Sequence, residues 1–220
     1  MAIDRAGYPF IGGTAALAIA AALTVGSAGA VPLLILAGFF LYFFRDPDRE
    51  SPRDPALVLS PADGRVLVAG PADPAAAPPG QWQQISIFLS PMDVHVNRSP
   101  VSGRVTRVDF RRGKYLPAYH RDAAATNERS EVWVDHQGLA VVFRQIVGIL
   151  ARRVVCRVKP GAELEAGDRF GIMKFGSRMD VFLPLGAELR VSVEDKVVGG
   201  VTVVAVLPAN PQSPTPIPNP

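Results

Sequence analysis

The stretch FGIMKFGSRMDVFL, residues 170–183, predicts two β-strands that meet at a Gly176-Ser177 step. An apolar run precedes the step. After it, residues 179–183 alternate between inward-facing and outward-facing side chains, which is typical of a strand. A glycine next to a serine is commonly only a turn. The strands on both sides therefore decide the fold class, and they favour a β protein.

The rest of the chain carries the same signals. Residues 85–89 and 189–193 alternate, residues 139–158 can hold two buried strands, and residues 197–207 read as another strand. Glycine-containing turn dipeptides recur between these segments, and no long helical period appears outside the N-terminal run. We expect a mainly β fold, a compact β-sandwich or barrel-like domain over residues 54–207. Residues 208–220 alternate proline with small polar residues and predict a disordered, solvated tail.

The C-terminal half has glycines spaced between its predicted strands. Short strands punctuated by glycines over residues 158–206 look like a biotinyl/lipoyl-type barrel-sandwich. A carrier of that type presents a modified lysine at a hairpin tip. Lys174 lies inside an apolar strand instead, which argues against a carrier function.

Composition excludes several classes. The 220 residues carry a net charge of +3, too small to indicate a nucleic-acid partner, and one cysteine, which rules out an internal disulfide framework. The three histidines, His95, His120 and His136, lie far apart without a zinc-binding spacing, so no metal site is predicted.

The N-terminus predicts a membrane anchor over residues 1–45. Residues 6–44 contain no charge, and the GSAGAVP segment at residues 26–32 breaks the run into two pieces, residues 9–25 and 33–44, each short for a full span. Arginines stand on both sides of the run, which favours a helical hairpin with both ends in the cytoplasm. The alternative is a cleaved signal peptide, since Ala-Gly-Ala resembles a cleavage site; the second apolar stretch argues against cleavage.

Three residues at separate strand ends could carry chemistry. Asp63 lies at a turn that opens a strand, His95 follows a buried strand, and Ser177 follows Gly176. Each of these residues, taken alone, is more commonly a turn or structural residue than a catalytic one. Together they supply a hydroxyl, a base and a carboxylate, the groups that activate a serine nucleophile. Glycine before the serine permits close approach and a strained backbone.

The chain resembles the phosphatidylserine decarboxylase family, specifically its short, type A branch. The resemblance covers nearly all of residues 43–205 and depends on the order and spacing of several motifs together. These are Phe43-Phe44-Arg45-Asp46-Pro47, Pro61-Ala62-Asp63-Gly64, Ser86-Ile87-Phe88-Leu89-Ser90, Val94-His95-Val96-Asn97-Arg98, Pro100-Val101-Ser102-Gly103, Asn127-Glu128-Arg129, Ile149-Leu150-Ala151-Arg152-Arg153 and Phe175-Gly176-Ser177-Arg178.

The resemblance implies a proenzyme that cuts itself. In the family the serine hydroxyl attacks the preceding carbonyl, the ester that forms is eliminated, and loss of ammonia leaves a covalent pyruvoyl group, which is the cofactor. Here the break would fall between Gly176 and Ser177, giving a β chain of residues 1–176 and an α chain of residues 177–220 as a heterodimer. The pyruvoyl group would form a Schiff base with the amine of phosphatidylserine, and loss of CO2 would give phosphatidylethanolamine. The implied place is the cell membrane, with the bilayer as a partner and the catalytic domain on the cytoplasmic side.

The resemblance also implies site residues. Ser177, His95 and Asp63 would be catalytic, while Asn127, Glu128, Arg129 and Arg98 would contact the substrate. Longer family members have Asp-x-His-x-x-His and give the relay role to the second histidine, whose place is taken here by Arg98; the role of His95 is therefore an inference. Arg178 follows the serine where other members have serine or threonine.

Two other classes stay open at this stage. A membrane-anchored barrel-sandwich adaptor would explain the anchor and residues 158–206, but the chain has no heptad run for the coiled coil that such adaptors carry. A membrane serine hydrolase could use the same three residues, but the chain lacks a Gly-x-Ser-x-Gly elbow. Both would leave the chain uncut.

Overall fold

The computed structural model describes residues 2–120, 122–149, 154–174 and 176–209. The predicted tail, apart from residues 208 and 209, and the motif residues 150–153 and 175 lie outside the described residues. The N-terminal part contains, in order, β1 (Ala2–Ile3), a 3-10 turn (Arg5–Gly7), α1 (Tyr8–Thr24), α2 (Ser27–Phe43) and β2 (Arg45–Asp46).

Helices α1 and α2 fold back on each other. Phe10, near the start of α1, stacks on Phe44, directly after α2, with ring centroids 5.4 Å apart, and β1 pairs antiparallel with β2. The two helices therefore lie antiparallel, and their apolar side chains are largely exposed, as at Leu23 and Ile35. Within the described part of the chain, Arg5–Thr24 is the one helix long and apolar enough to cross a membrane, with a mean hydropathy of 1.5, and Ser27–Phe43 is apolar but shorter.

The break between the two helices is shorter than the sequence predicts. We expected it to extend to Pro32, but α2 already begins at Ser27 and contains Pro32. Gly26 alone reverses the chain, because its φ of +83° lies in the left-handed region that glycine adopts without strain.

A β domain follows the hairpin. Its elements are β3 (Leu57–Leu59), β4 (Gly64–Pro71), β5 (Gln83–Leu89), β6 (Val96–Arg98), β7 (Gly103–Arg111), α3 (Ala123–Thr126), β8 (Arg129–His136), β9 (Leu139–Val147), β10 (Val154–Cys156), β11 (Glu163–Leu164), β12 (Arg169–Met173), β13 (Ser177–Leu183), β14 (Glu188–Leu189), β15 (Lys196–Val197) and β16 (Val203–Val206).

One large antiparallel sheet dominates the domain. Across the described residues its strand order is β11-β7-β8-β9-β13-β5-β4-β15, and the sheet curls into a half-barrel. Two three-stranded sheets, β10-β12-β6 and β14-β16-β3, complete the fold. Phe143 of the large sheet meets Phe170 of the first small sheet edge-on, with centroids 4.7 Å apart, so the main core lies between the sheets. β13 is a central strand, and its first residue is Ser177.

The mainly β fold class is confirmed, and so are several individual strands. β5 and β13 cover the alternating segments, and the predicted turn at residues 135–138 joins β8 to β9, with Gln137 and Gly138 both at positive φ as a tight hairpin turn needs. The strand predicted at residues 189–193 is wrong beyond Leu189. There the Asp195 carboxylate accepts a hydrogen bond from the Ser192 N–H, so side-chain bonding closes a turn in place of strand pairing.

The likeness of residues 158–206 to a barrel-sandwich is not confirmed. In the described structure the strands of this segment pair mostly with strands from the preceding half: β11 with β7, β13 with β5 and β9, and β15 with β4. The two halves of the chain are thus interleaved in one fold.

Candidate active site

Ser177 begins β13 in the middle of the large sheet. It pairs with Leu89 of β5 on one side and with Val147 of β9 on the other. Its side chain is fully buried, and its hydroxyl has no hydrogen-bond partner among the described residues. A buried hydroxyl without a partner costs free energy, which indicates a group kept for chemistry.

The residue before the serine has an unusual backbone. Gly176 has a φ of +74°, in the left-handed region that other residues rarely adopt. Its carbonyl oxygen lies so close to Gly148 that a β-carbon on residue 148 would overlap it. Two glycines therefore shape the Gly176-Ser177 bond: one sets its backbone angle, and the other leaves room for its carbonyl.

His95 is buried beside this bond. Its Nδ1 lies 2.9 Å from the Asp93 carbonyl oxygen, and the Gly176 N–H points to its Nε2 at 3.4 Å. A carbonyl can only accept, so Nδ1 carries the proton and the lone pair of Nε2 faces Gly176. Burial lowers the pKa of His95 to about 4, against a smaller raising effect of Asp93. The imidazole is therefore neutral near pH 7, with the Nε2 lone pair directed at the Gly176 N–H.

Asp63 lies in the same region but does not contact His95 through any described hydrogen bond. Its carboxylate accepts two hydrogen bonds from the Arg49 guanidinium, at 2.6 and 2.8 Å, and one from the Gly199 N–H at 2.8 Å. The structure thus brings His95 to the serine step, and places Asp63 near the histidine as a charge rather than as a hydrogen-bonded relay.

Asn127 and Glu128, predicted to contact substrate, are buried and bonded to protein groups. The Asn127 amide donates to the carbonyls of Leu116 and Val147, at 2.8 and 2.9 Å, and accepts from the Leu116 N–H. Because Val147 is the strand partner of Ser177, Asn127 holds in place the strand end beside Ser177. Glu128 accepts a hydrogen bond from the Tyr115 hydroxyl at 3.1 Å.

The two arginines of the predicted substrate set lie apart from each other. Arg129 donates to the carbonyls of Ala124 and Ala125, and its Nε is buried without a described partner. Arg98 is buried and donates to the Pro47 and Gly167 carbonyls, with the Asp46 carboxylate 3.4 Å away. Arg98 therefore fastens the segment after the hairpin to the β domain.

Of the remaining singled-out residues, two are structural or solvated. The Nδ1 of His136 lies 2.7 Å from the Ser102 carbonyl, and His120 is half exposed in a loop. The Arg178 guanidinium, next to Ser177, bonds to Asp180 at 2.6 Å and Ser86 at 2.8 Å. Successive strand residues face opposite sides, so Arg178 points away from the face that carries Ser177.

Two cavities flank this region. A cleft of about 540 Å³ is lined by residues including Asp63, Phe88, Ser90 and Asp93, all near His95 along the chain or across the sheet. The larger cavity, of about 1010 Å³, lies against the segment after the hairpin and includes Arg49 and Arg98. The smaller cavity has both Asp63 and Asp93 in its wall.

Sequence reasoning missed four residues of the site. Gly148 interrupts the apolar run of residues 139–158, and that interruption was its available signal. Phe43, Arg49 and Gly199 lie far from their partners along the chain, so no local pattern could reveal their contacts. Phe43 covers the His95 ring, with centroids 4.1 Å apart, and the other two hold Asp63.

The geometry defines a class of protein first. A serine with no exposed surface is poorly placed to attack a substrate that diffuses in, yet it adjoins the carbonyl of the residue before it. Such a serine, beside a neutral histidine and after a left-handed glycine, is typical of a precursor that reacts with its own backbone.

Comparison with known proteins defines the family. The family model described as phosphatidylserine decarboxylase matches residues 36–205. A phosphatidylserine decarboxylase proenzyme from Symbiobacterium thermophilum is 44% identical over 207 residues, covering 94% of this chain and 96% of the relative. Another from Solibacter usitatus is 43% identical over 193 residues, covering 86% and 91%, and one from Trichlorobacter lovleyi is 43% identical over 213 residues, covering 93% and 96%. The chain belongs to the phosphatidylserine decarboxylase family.

Proposed function

We propose that this chain is the precursor of an enzyme that decarboxylates phosphatidylserine to phosphatidylethanolamine at a membrane. The observation that carries the proposal is the fully buried Ser177 that follows Gly176, in a chain that matches the decarboxylase family over residues 36–205. The relatives are named proenzymes, which implies chains that are cut.

Self-processing begins with the serine hydroxyl. Ser177 Oγ bonds to the carbonyl carbon of Gly176, the amide C–N bond breaks, and the hydroxyl proton ends on the Ser177 nitrogen, leaving an ester. An ester is less stable than an amide, so the shift needs help. Elimination of the ester supplies that help, because this step makes the cut irreversible.

His95 is the proposed base for that transfer. Its protonated Nδ1 is held by the Asp93 carbonyl, and this leaves Nε2 as the acceptor that faces Gly176. Burial keeps the ring neutral, as a base must be before it takes a proton.

Asp63 acts at a distance in this scheme. Its negative charge raises the pKa of His95, although less than burial lowers it, and so favours the ring as it becomes positive. Asp63 is thus a positioning and electrostatic residue, held in place by Arg49. The cut gives an α chain that begins at residue 177 and a β chain that ends at residue 176.

The pyruvoyl group fits the residues present. Residue 177 would carry it at the start of β13, between its strand partners Leu89 and Val147. Once formed, such a group supplies an electron-withdrawing carbonyl that can take up the substrate amine and favour loss of its carboxylate. Asn127 holds the strand end beside residue 177, and the partly satisfied Arg129 is the proposed contact for an anionic part of the head group.

The α1–α2 hairpin would place this site at the bilayer that holds both lipids. Its exposed apolar side chains support membrane insertion, and Arg5, Arg45, Arg49 and Arg53 at its two ends favour the cytoplasmic side. Membership of the short, type A branch, assembly beyond the α and β chains, and the barrel-sandwich likeness of the C-terminal half stay predictions.

The function is tested with the full chain purified in detergent and its Ser177→Ala variant. Vesicles of phosphatidylserine are added, and CO2 and phosphatidylethanolamine are measured. We expect product from the wild type and none from the variant, and we expect hydroxylamine, which captures carbonyl groups, to abolish the wild-type activity. A chain that stays uncut and releases fatty acid would indicate a serine hydrolase, and a chain without either activity would indicate an adaptor; both contradict the proposal.

A further inference from the structure

The end of helix α2 contacts His95, the residue proposed to accept the proton in the reaction. Phe43, the last residue of α2, is fully buried, and its ring lies over the imidazole of His95 with centroids 4.1 Å apart and planes inclined by 34°. Around this pair, Phe44, Val94 and Ile172 form a small apolar cluster separate from the main core. A residue of the predicted anchor is therefore in direct contact with the site.

The hairpin is fastened to the β domain on several sides. At its start, the Asp4 carboxylate bonds to the Arg157 guanidinium, at 2.6 and 2.7 Å. After its end, Asp46 bonds to Arg169, with a shortest distance of 2.7 Å. These contacts are more than a flexible tether needs, and they fix the orientation of the hairpin relative to the sheet.

Contacts at the end of α2 also reach the chain just before His95. The Tyr42 hydroxyl and the Arg45 guanidinium both donate to the Met92 carbonyl, at 3.1 and 2.8 Å. Met92 is next to Asp93, whose carbonyl fixes the Nδ1 proton of His95. The end of α2 and the residues just after it thus contact both the histidine ring and the loop that orients it.

We propose that Phe43 is a positioning residue that holds His95 against the Gly176-Ser177 bond, so that the membrane hairpin is part of the self-processing machinery. The inference rests on the proposed function, because it assigns a role within that reaction. Phe43 would act through His95 and would not contact the reacting atoms.

The physical reason lies in the described contacts of the ring, two hydrogen-bond contacts at its nitrogens and the Phe43 ring over one face. One edge bonds to the Asp93 carbonyl, and the other meets the Gly176 N–H at 3.4 Å, which is a long contact. Phe43 covers a face of the ring, so its removal would let the imidazole tilt and let water reach it. Small displacements of a reacting group are costly, since a shift of about 1 Å can lower a rate on the order of 100-fold.

Removal of Phe43 should also change the titration of His95. The charged groups that act on the ring are Asp93 and Asp63, which raise its pKa, and Arg45, which lowers it; burial is the largest effect and lowers it to about 4. Water admitted beside the ring would weaken the burial effect and move the pKa toward its ordinary value. The pH profile of processing therefore reports on Phe43 separately from the rate.

The experiment follows self-cleavage of the full chain over time. The chain is synthesised in vitro with detergent or vesicles, and the uncut and cut forms are separated on a denaturing gel at pH values from 4.5 to 8. Phe43→Ala is compared with Phe40→Ala, which removes the same ring from the same helix; Phe40 packs against Phe39 and Phe44. We expect Phe43→Ala to slow cleavage about 10- to 100-fold and to lose further rate below about pH 6.5, the ordinary pKa of histidine. Phe40→Ala should keep a rate within about 3-fold of the wild type and a profile that is flat above pH 5.

Every outcome bears on the inference. If the wild type cleaves and Phe43→Ala matches Phe40→Ala in rate and profile, the inference is wrong and the proposed function stands. If the wild type itself stays uncut, the proposed function fails first. If limited proteolysis shows that Phe43→Ala does not fold, Phe43→Leu decides: a rate below that of Phe40→Ala with a wild-type pH profile supports the inference, and a wild-type rate overturns it.

Discussion

Gly148 lies directly against the carbonyl oxygen of Gly176. Any β-carbon on residue 148 would overlap that oxygen. The carbonyl belongs to the bond that the proposed reaction breaks, so a glycine on the neighbouring strand end defines the space in which the reaction occurs.

Replacement of Gly148 by alanine should therefore stop or strongly slow self-cleavage. The Gly176 carbonyl must move to admit the methyl group, at a cost of about 1–3 kcal/mol for an overpacked site. A time course of cut against uncut chain measures the effect. Gly38→Ala in α2 is the matched control, because nothing lies within 4 Å of a β-carbon there. A Gly148→Ala chain that cleaves as fast as the control would contradict this account of the site.

Arg49→Gln tests the support of Asp63. The Asp63 carboxylate keeps only the Gly199 N–H when the guanidinium is lost, and both members of this ion pair are mostly buried. We expect a loss of roughly 3–5 kcal/mol in the free energy of unfolding, since an uncompensated buried charge is left behind, together with slower cleavage. Urea unfolding in detergent, on a Ser177→Ala background that keeps the chain whole, measures the first effect.

The control for that variant is Arg65→Gln. Arg65 pairs with Glu194 at the same distance of 2.6 Å, but both side chains are more than half exposed. Exposed pairs contribute about 0–1 kcal/mol. Equal losses of stability in Arg49→Gln and Arg65→Gln would show that Asp63 does not depend on its buried partner.

The neutral state of His95 predicts a pH dependence of stability. Its pKa is lowered to about 4 in the folded chain, against about 6.5 when the chain is unfolded. The unfolded chain therefore takes up a proton first as the pH falls, so stability is complete above pH 6.5 and is lost progressively down to about pH 4. The difference between these two pKa values corresponds to about 3 kcal/mol of folding free energy.

The measurement compares urea unfolding at pH 8 and pH 4.5 in two chains, both with Ser177→Ala. His95→Gln, which cannot titrate, should lose less stability between the two pH values than the chain with His95. Identical losses would mean that the imidazole is already charged or solvated in the folded state.

Sequence patterns predicted the parts of this protein that depend on neighbours along the chain. The alternation after Ser177 predicted strand β13, and the Asp-His-Gln-Gly turn predicted the β8–β9 hairpin. The glycine at residue 176 pointed to an unusual backbone before Ser177. These features arise from side-chain periodicity and backbone preferences, which act over a few residues.

The contacts that complete the site act over long separations. Phe43 meets His95 and Arg49 meets both Asp63 and Gly199, across turns and sheets that no local pattern specifies. The same limit explains the wrong strand at residues 189–193, where alternation was present but a turn at Asp195 ended the pairing. The patterns did not reveal that the hydrogen-bond partner of Asp63 is the arginine Arg49.

The most direct test of the account is the intact mass of the purified full-length chain under denaturing conditions. We predict two polypeptides, residues 1–176 and residues 177–220, with the smaller one blocked to Edman degradation because its first residue has lost its amino nitrogen. A single polypeptide of residues 1–220 from folded wild-type protein, with Ser177 still joined to Gly176, would contradict the central claim.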